Sequence, residues 1–402
     1  MDIVRLGIIG VGGMGTAHLN YIGCKHEIEG VKLTAIADIA PEKLAAAKKK
    51  LENENGGSYD VAVFEDYVSL LDSGLVDAVL IATPHYLHPV IGIEALNRGI
   101  HVLSEKPIGV YTKKVEELYE VAKKSGKVFG IMYNQRTDPM YRKMREIVQS
   151  GELGELKRII WIITNWYRTQ SYYNSGGWRA TWKGEGGGVL INQCPHNLDL
   201  WQWITGMPCR IRGFLNEGQY HDIEVEDNAT IYAEYANGAV GTFITTTGEA
   251  PGTNRLEISG TRGKLVSENA KLTFYRLKVD EREFNANSSS TSITGEDMEV
   301  IDVDYGEYTT LKQHKGITQN FVNAILKGEE LIAPGYDGIN GLTISNAAML
   351  SSWTDAWVNL PIDKELFLKK LNEKIECSKE KSNVNERVLD TEGTYGEQKK
   401  IN

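Results

Sequence analysis

Cysteine is scarce in this chain. The 402 residues hold four, Cys24, Cys194, Cys209 and Cys377, and no two stand in a CxxC pair. Neither a disulfide framework nor a zinc site is therefore expected, no metal is expected at all, and unpaired thiols suit a reducing, cytoplasmic setting. Long apolar runs are missing too. No stretch approaches the ~20 residues that a membrane-spanning helix needs. The opening MDIVRLGIIG lacks the basic segment, apolar stretch and small-residue cleavage site of a secretory leader. Positive charge is in deficit: 44 Lys and Arg face 54 Asp and Glu, a formal net charge of −10. That balance argues against nucleic acid and anionic membrane as partners and leaves a small neutral or cationic ligand.

What the chain does have is length for two domains and apolar residues enough for two cores. Residues 1–135 alternate short apolar runs with helical patterns. Strands are expected at Val4–Ile9, Val31–Ala37, Ala78–Ala82, His101–Ser104 and Val128–Met132. Helices are expected at Met14–Ile22, Pro41–Leu51, His88–Asn97 and Thr112–Lys124. Such alternation predicts a parallel sheet with helices on both faces. The pattern changes near residue 150. Runs at hairpin spacing follow, at Leu156–Ile163, Arg210–Leu215, Ala229–Tyr235, Ala239–Thr246, Arg255–Ser259 and Lys264–Ser267, with Asn237-Gly238 reading as a type I′ turn. One helix is expected within them, over Val189–Trp203, and two after them, His314–Lys327 and Gly341–Val358, the second packing back on the first domain. The boundaries that result are a first domain at 1–135, a second at 136–377 and a flexible charged tail at 378–402.

Gly10-Val11-Gly12-Gly13-Met14-Gly15 follows the first strand and opens the first helix. In that context the glycines have physical tasks. Gly10 permits a tight turn, Gly12 lets backbone approach a pyrophosphate, and Gly15 lets helix and strand pack closely. Gly13 and Met14 begin a helix whose free N–H groups face the phosphates. Asp38 ends the second strand, where a carboxylate can accept from both ribose hydroxyls of NAD and would repel a 2′-phosphate. The fold class is therefore an α/β Rossmann domain followed by an α+β domain with an open, mostly antiparallel sheet, and the cofactor is NAD.

Three motifs in order carry a resemblance: the glycine turn at 10–15, Glu105-Lys106-Pro107, and the run from Gly186-Gly187-Gly188 through Asn192-Gln193-Cys194-Pro195-His196-Asn197-Leu198-Asp199. They resemble the glucose–fructose oxidoreductase / inositol dehydrogenase / MocA family over roughly residues 3–360. The resemblance implies NAD(P)-linked redox chemistry on sugars, inositols and similar compounds, in dimers or tetramers, and it assigns Lys106 a catalytic role. Lys106 follows a strand at the sheet's C-terminal edge, where ligands of such sheets bind. Its ammonium can hold a substrate hydroxyl and stabilise developing alkoxide. His196 is the expected base, because a neutral imidazole can take the hydroxyl proton at neutral pH.

On one helix Asn192, His196 and Asp199 would share a face, with Asp199 orienting the ring or binding substrate. Inositol dehydrogenase-like members carry Asp where this chain has Asn192, so Asn192 is read as positioning substrate through hydrogen bonds rather than as a proton acceptor. Thr83, His88, Glu105, Asn134, Gln135 and Trp182 are candidate cofactor contacts, each equally readable as a turn residue. Arg168, Trp178 and Arg179 lie in an aromatic, arginine-rich stretch that suits either a sugar ring or a subunit interface.

The leading reading is a dehydrogenase of a sugar, glycoside or inositol hydroxyl, with C3 of a glycoside an attractive position. Two others compete. One is a hydrolase or lyase that retains NAD and cleaves glycosides through transient oxidation. The other is a non-catalytic NAD sensor.

Overall fold

The computed structural model describes residues 2–308 and 311–385. The first domain is a six-stranded sheet of β1 (Val4–Ile9), β2 (Val31–Ala37), β3 (Ala62–Phe64), β4 (Ala78–Ile81), β5 (His101–Ser104) and β6 (Phe129–Ile131), in the order β3-β2-β1-β4-β5-β6. All its pairings are parallel. Strands buried on both faces read as continuous apolar runs, as the fully buried β4 does. The helices here are α1 (Gly13–Leu19), α2 (Pro41–Glu54), α3 (Tyr67–Asp72), α4 (Leu87–Asn97) and α5 (Thr112–Ser125). The order reverses between β1 and β4, which opens a crevice at the strands' C-terminal edge. The sequence pattern misses β3 and α3, whose three and six residues are too short for a periodic signal.

A link through α6 (Pro139–Gln149), begun by Asp138 as N-cap and Pro139, leads to the second sheet. It comprises β7 (Leu156–Ile163), β8 (Arg210–Glu217), β9 (Glu226–Glu234), β10 (Val240–Thr246), β11 (Asn254–Gly260), β12 (Gly263–Glu268), β13 (Lys271–Leu277), β14 (Met298–Asp302) and β15 (Val358–Asn359). Their order is β14-β13-β12-β11-β7-β10-β9-β8-β15. Only β7 with β10 pairs in parallel; the other pairings are antiparallel. Alternation sets two faces. Ile159, Trp161, Ile163, Ile231 and Phe243 are fully buried, and Trp201 stacks on Phe243. The opposite face carries half-buried Ile160, Ile162, Tyr232 and Ile244 and the exposed Phe214.

The remaining helices are α7 (Gln170–Tyr173), α8 (Pro195–Thr205), α9 (Glu281–Asn287), α10 (Gln313–Lys327), α11 (Gly338–Thr354) and α12 (Lys364–Glu376). Three expectations are corrected. The inner helix starts at Pro195, not Val189, because proline disfavours helical backbone in the residue before it and suits the first helical position itself. Residues 189–193 form turns instead. The hairpin turn has Gly238 alone at positive φ, so Asn237 does not build a type I′ turn. Both late helices reach the first domain: from α10, Thr318 Oγ1 meets Tyr21 Oη at 2.8 Å and Lys315 pairs with Glu27 at 2.8 Å. Helix α11 packs on β8 and α8 and also on α5 of the first domain, with Asn346 Nδ2 on the Val110 carbonyl at 3.0 Å and Ile339 N–H on Tyr119 Oη at 2.9 Å. Finally, residues 378–385 are docked, with Lys381 Nζ on the Tyr173 carbonyl at 2.8 Å and Asn385 N–H on the Asn174 carbonyl at 2.8 Å. The rest of the expected tail, 386–402, lies outside the described residues. Among the described residues no helix is long and apolar enough to cross a membrane.

Candidate active site

The glycine turn lies at the crevice. Gly10 has φ +90°, and a Cβ there would meet the Ala82 carbonyl oxygen at 2.6 Å. At Gly15 a Cβ would stand 1.8 Å from the Gly10 carbonyl oxygen, so helix and turn approach closer than any side chain permits. Above Gly12 and Gly13 the space is open to 4 Å. Asp38 closes the turn from β2: Oδ2 accepts from Val11 N–H at 2.9 Å and Oδ1 from Ala40 N–H at 3.0 Å. Each oxygen keeps a lone pair for a ribose hydroxyl. Thr83 Oγ1, at the end of β4, is buried and without a hydrogen-bond partner among the described residues. Open glycines, a half-free carboxylate and an orphaned hydroxyl fit a dinucleotide laid across this edge.

On the far rim, Lys106 leaves the end of β5 and donates from Nζ to the Asn192 backbone carbonyl at 2.7 Å. A first-domain ammonium thus stands on the turn that leads into α8, one turn before His196. The His196 ring is 4% exposed. Burial, reinforced by the charge of Lys106, holds its pKa well below the ordinary imidazole value, so the ring is neutral at neutral pH. Its Nδ1 has no partner among the described residues. Burial likewise lowers Lys106, while Glu105 and Glu185 pull it back up.

Glu105 is buried and held by His18 Nε2 at 2.6 Å. Burial alone would raise its carboxyl, but the His18 hydrogen bond and the nearby His18, His314 and Lys106 charges bring it down to about 2. Glu105 therefore faces the histidines and its own backbone, as a charged foundation under Lys106.

Other expected site residues make contacts within the protein. Asp199 does not orient His196: it is fully buried in a bidentate pair with Arg136 (2.6 and 2.8 Å) and also accepts from Gln202 at 3.0 Å. Arg136 in turn binds Asp337 at 2.6 Å. Trp182 packs edge-on against Trp353 in the core and gives its carbonyl to Tyr86 Oη at 2.8 Å. His88 braces two loops, its ring nitrogens each 2.7 Å from the Thr83 and Pro107 carbonyls. Asn134 donates to Gln313 at 2.5 Å; Gln135 is buried beside it. Asn192 lies off the helix of His196, in the turn.

The aromatic stretch forms a stack in which the Arg168 and Arg179 guanidiniums lie 5.0 and 4.8 Å from the Tyr172 ring centroid. Arg179 also covers Trp178, whose edge meets His85. Arg168 is near enough to Lys106 to press its pKa down. Sequence reasoning missed Glu185, His18 and His314. It also missed Glu226, whose carboxylate accepts the Gly188 and Leu190 N–H groups and so pins the glycine turn before α8. The only sequence signal for Glu185 is its place directly before Gly186.

A glycine turn, an acid at the end of β2 and a lysine beside a buried imidazole accompany the two-domain fold of an NAD-dependent oxidoreductase. Residues 4–133 match the oxidoreductase family with an NAD-binding Rossmann fold, and residues 141–266 match the GFO/IDH/MocA C-terminal domain. The chain belongs to the Gfo/Idh/MocA family of oxidoreductases. It is similar to levoglucosan dehydrogenase of Pseudarthrobacter phenanthrenivorans, 25% identical across 90% of this chain and 99% of that protein. It is similar also to myo-inositol 2-dehydrogenase of Thermotoga maritima, 25% identical across 67% of this chain and 77% of that protein. Among solved structures, the WlbA dehydrogenase of Bordetella pertussis in complex with NADH and UDP-GlcNAcA superposes with a TM-score of 0.72 at 22% identity, over 90% of this chain and all of that one (100%). That likeness establishes the fold.

Proposed function

We propose that this chain oxidises a secondary hydroxyl of a sugar, glycoside or inositol, with NAD as hydride acceptor, His196 as base and Lys106 as the group that polarises the oxygen. NAD, when bound, supplies the two-electron acceptor; Gly10–Gly15, Asp38 and Thr83 would hold it. The observation that carries the reading is the Lys106–Asn192 contact, which sets an ammonium and a neutral imidazole from separate domains on one rim. Lys106 donates a hydrogen bond to the hydroxyl oxygen and favours its anionic character. His196 takes the proton. Asn192 supplies a further polar contact, and the Tyr172–Arg168–Arg179 stack suits the C–H faces and hydroxyls of a sugar ring. Relatives named for levoglucosan and myo-inositol support a polyol substrate. A carboxylate at Asp38 favours NAD over NADP. Four unpaired cysteines suit the cytoplasm, and the open sheet face is proposed to join copies into a dimer or tetramer.

The test is NADH formation across a panel of sugars, glycosides and inositols, with wild type and His196→Ala. Wild type should reduce NAD with at least one of them, and the variant should lose about 10²–10⁴-fold in rate. A polyol oxidised equally by both proteins would overturn the assignment.

A further inference from the structure

Glu185 is a buried acid at the rim with no cation in contact among the described residues. It is 2% exposed. Oε2 accepts the Ala180 N–H at 2.5 Å, and Oε1 accepts from Asn192 Nδ2. Burial leaves its carboxyl raised above the ordinary value, although the Arg179 charge and these two hydrogen bonds oppose the rise. Ala180, the residue that delivers the N–H, sits at φ +51°, a left-handed conformation costly for a non-glycine and concentrated at functional sites. The loop 180–185 thus wraps the carboxylate at the expense of backbone strain. Asn192 has both ends engaged: its backbone carbonyl holds Lys106 and its amide donates to Glu185.

An ionised carboxylate only accepts, so its partner amide must turn its NH₂ toward it. The Asn192 Oδ1 is then the end left for a ligand. We infer that Glu185 is a positioning residue for the oxidation: it fixes the Asn192 carboxamide with its oxygen as the acceptor for a substrate hydroxyl, and its charge keeps Lys106 an ammonium donor. This rests on the proposed function and adds the rule by which the rim recognises its substrate, a hydroxyl that donates to Asn192 while its neighbour accepts from Lys106.

Other groups share the neighbourhood. Lys106 is faced by Glu105 on its own strand and by Arg168 and Cys194 from the second domain. Cys194 is pushed up by burial to about 12 and is neutral. His85, His196 and His314 feel the lysine's charge. Glu185 is faced by Arg179, by Lys381 of the docked segment and by Tyr173. A single substitution at position 185 leaves all of these in place.

The test is a charge relocation, read twice. In Glu185→Gln, Oε1 can keep the Ala180 N–H, and the new NH₂ then forces the Asn192 amide to flip. In Asn192→Asp two carboxylates meet. In the double variant the introduced glutamine accepts from Ala180 and donates to the introduced aspartate, so the pair again holds one carboxylate and one amide. Turnover of the best polyol should fall about 10- to 100-fold in each single variant and recover at least tenfold in the double one. In the second readout, acetic anhydride labelling of Lys106 across a pH series is followed by mass spectrometry with no substrate present. Glu185→Gln should label at lower pH than wild type, because the favourable charge on the ammonium is gone, and the double variant should return toward wild type. NADH binding and Tm report folding.

An unchanged Lys106 labelling profile in Glu185→Gln, or a double variant no better than the singles, overturns the inference. Should wild type oxidise no polyol, the proposed function fails alone, and the labelling result still decides the role of Glu185.

Discussion

The roles proposed for His196 and Lys106 require opposite protonation states, and burial pushes both pKa values down. The consequence for rate has a definite sign. His196 must be neutral, so activity is lost only when pH falls through its depressed pKa, below the ordinary imidazole value of about 6.5. Lys106 must be charged, so activity is lost as pH rises through a value below the ordinary lysine pKa of about 10.4. A kcat/KM profile whose acid limb lies below that of free imidazole is the expected result; an acid limb above it would remove His196 as base. Arg136 belongs to a different account. With Asp199 replaced by Ala, its buried guanidinium loses its bidentate carboxylate and keeps Asp337 and the Ile332 carbonyl, and urea unfolding should show a loss of about 3–5 kcal/mol while NADH affinity holds. A selective loss of turnover at unchanged stability would instead return Asp199 to the site. Motif context singled out Lys106 and His196, the pair proposed to react, because each stands at a backbone landmark, a strand end and a helix start. Asp199 was misread because spacing along a helix says nothing about what the facing element brings, here Arg136. Glu185 was invisible because its partners come from Ala180 and Asn192 through a strained turn with no periodic signature.

At the scale of elements, the turn before α8 depends on one acid of β9. Glu226 is raised by burial to about 8 from an ordinary 4.5, although the Gly188 and Leu190 N–H groups pull it back. The folded state therefore holds this proton more tightly than the unfolded chain. Its stabilising contribution is complete below about 4.5 and is lost as pH rises through about 8. The Glu226→Gln variant should accordingly lose less Tm than wild type between those two pH values; parallel Tm curves would show that Glu226 titrates as it does in the unfolded chain. The elements legible in the sequence were those with a strong period or a landmark residue. The strands of the first sheet, buried on both faces, read as plain apolar runs. Strands β13 and β14 and helix α12 went unread, since half-exposed strands near a sheet edge and a lysine-rich helix carry weak contrast.

For the whole molecule, two sheets meet at a rim that neither domain completes. Helix α10, a late segment of the chain, seals the first domain by its contacts with Tyr21 and Glu27. The sequence pattern gave that role to the next helix, α11, which lies on α5 as well as on β8 and α8; it did not foresee that α10 shares it, because nothing local tells which sheet a helix covers. The open face of the second sheet, with Phe214 54% exposed, is expected to bury against a second copy. Sedimentation should give a dimer or tetramer that Phe214→Glu shifts toward monomer; a wild-type monomer at all concentrations would refute this. The claim beneath all of these is that a lysine from one domain and an imidazole from the other serve the same hydroxyl. A crystal structure with NADH and a polyol that the enzyme turns over tests it most directly. The account predicts one substrate oxygen within about 2.6–3.2 Å of both Lys106 Nζ and His196. A polyol oriented with its reacting carbon toward the nicotinamide and its oxygen beyond reach of either group would contradict it.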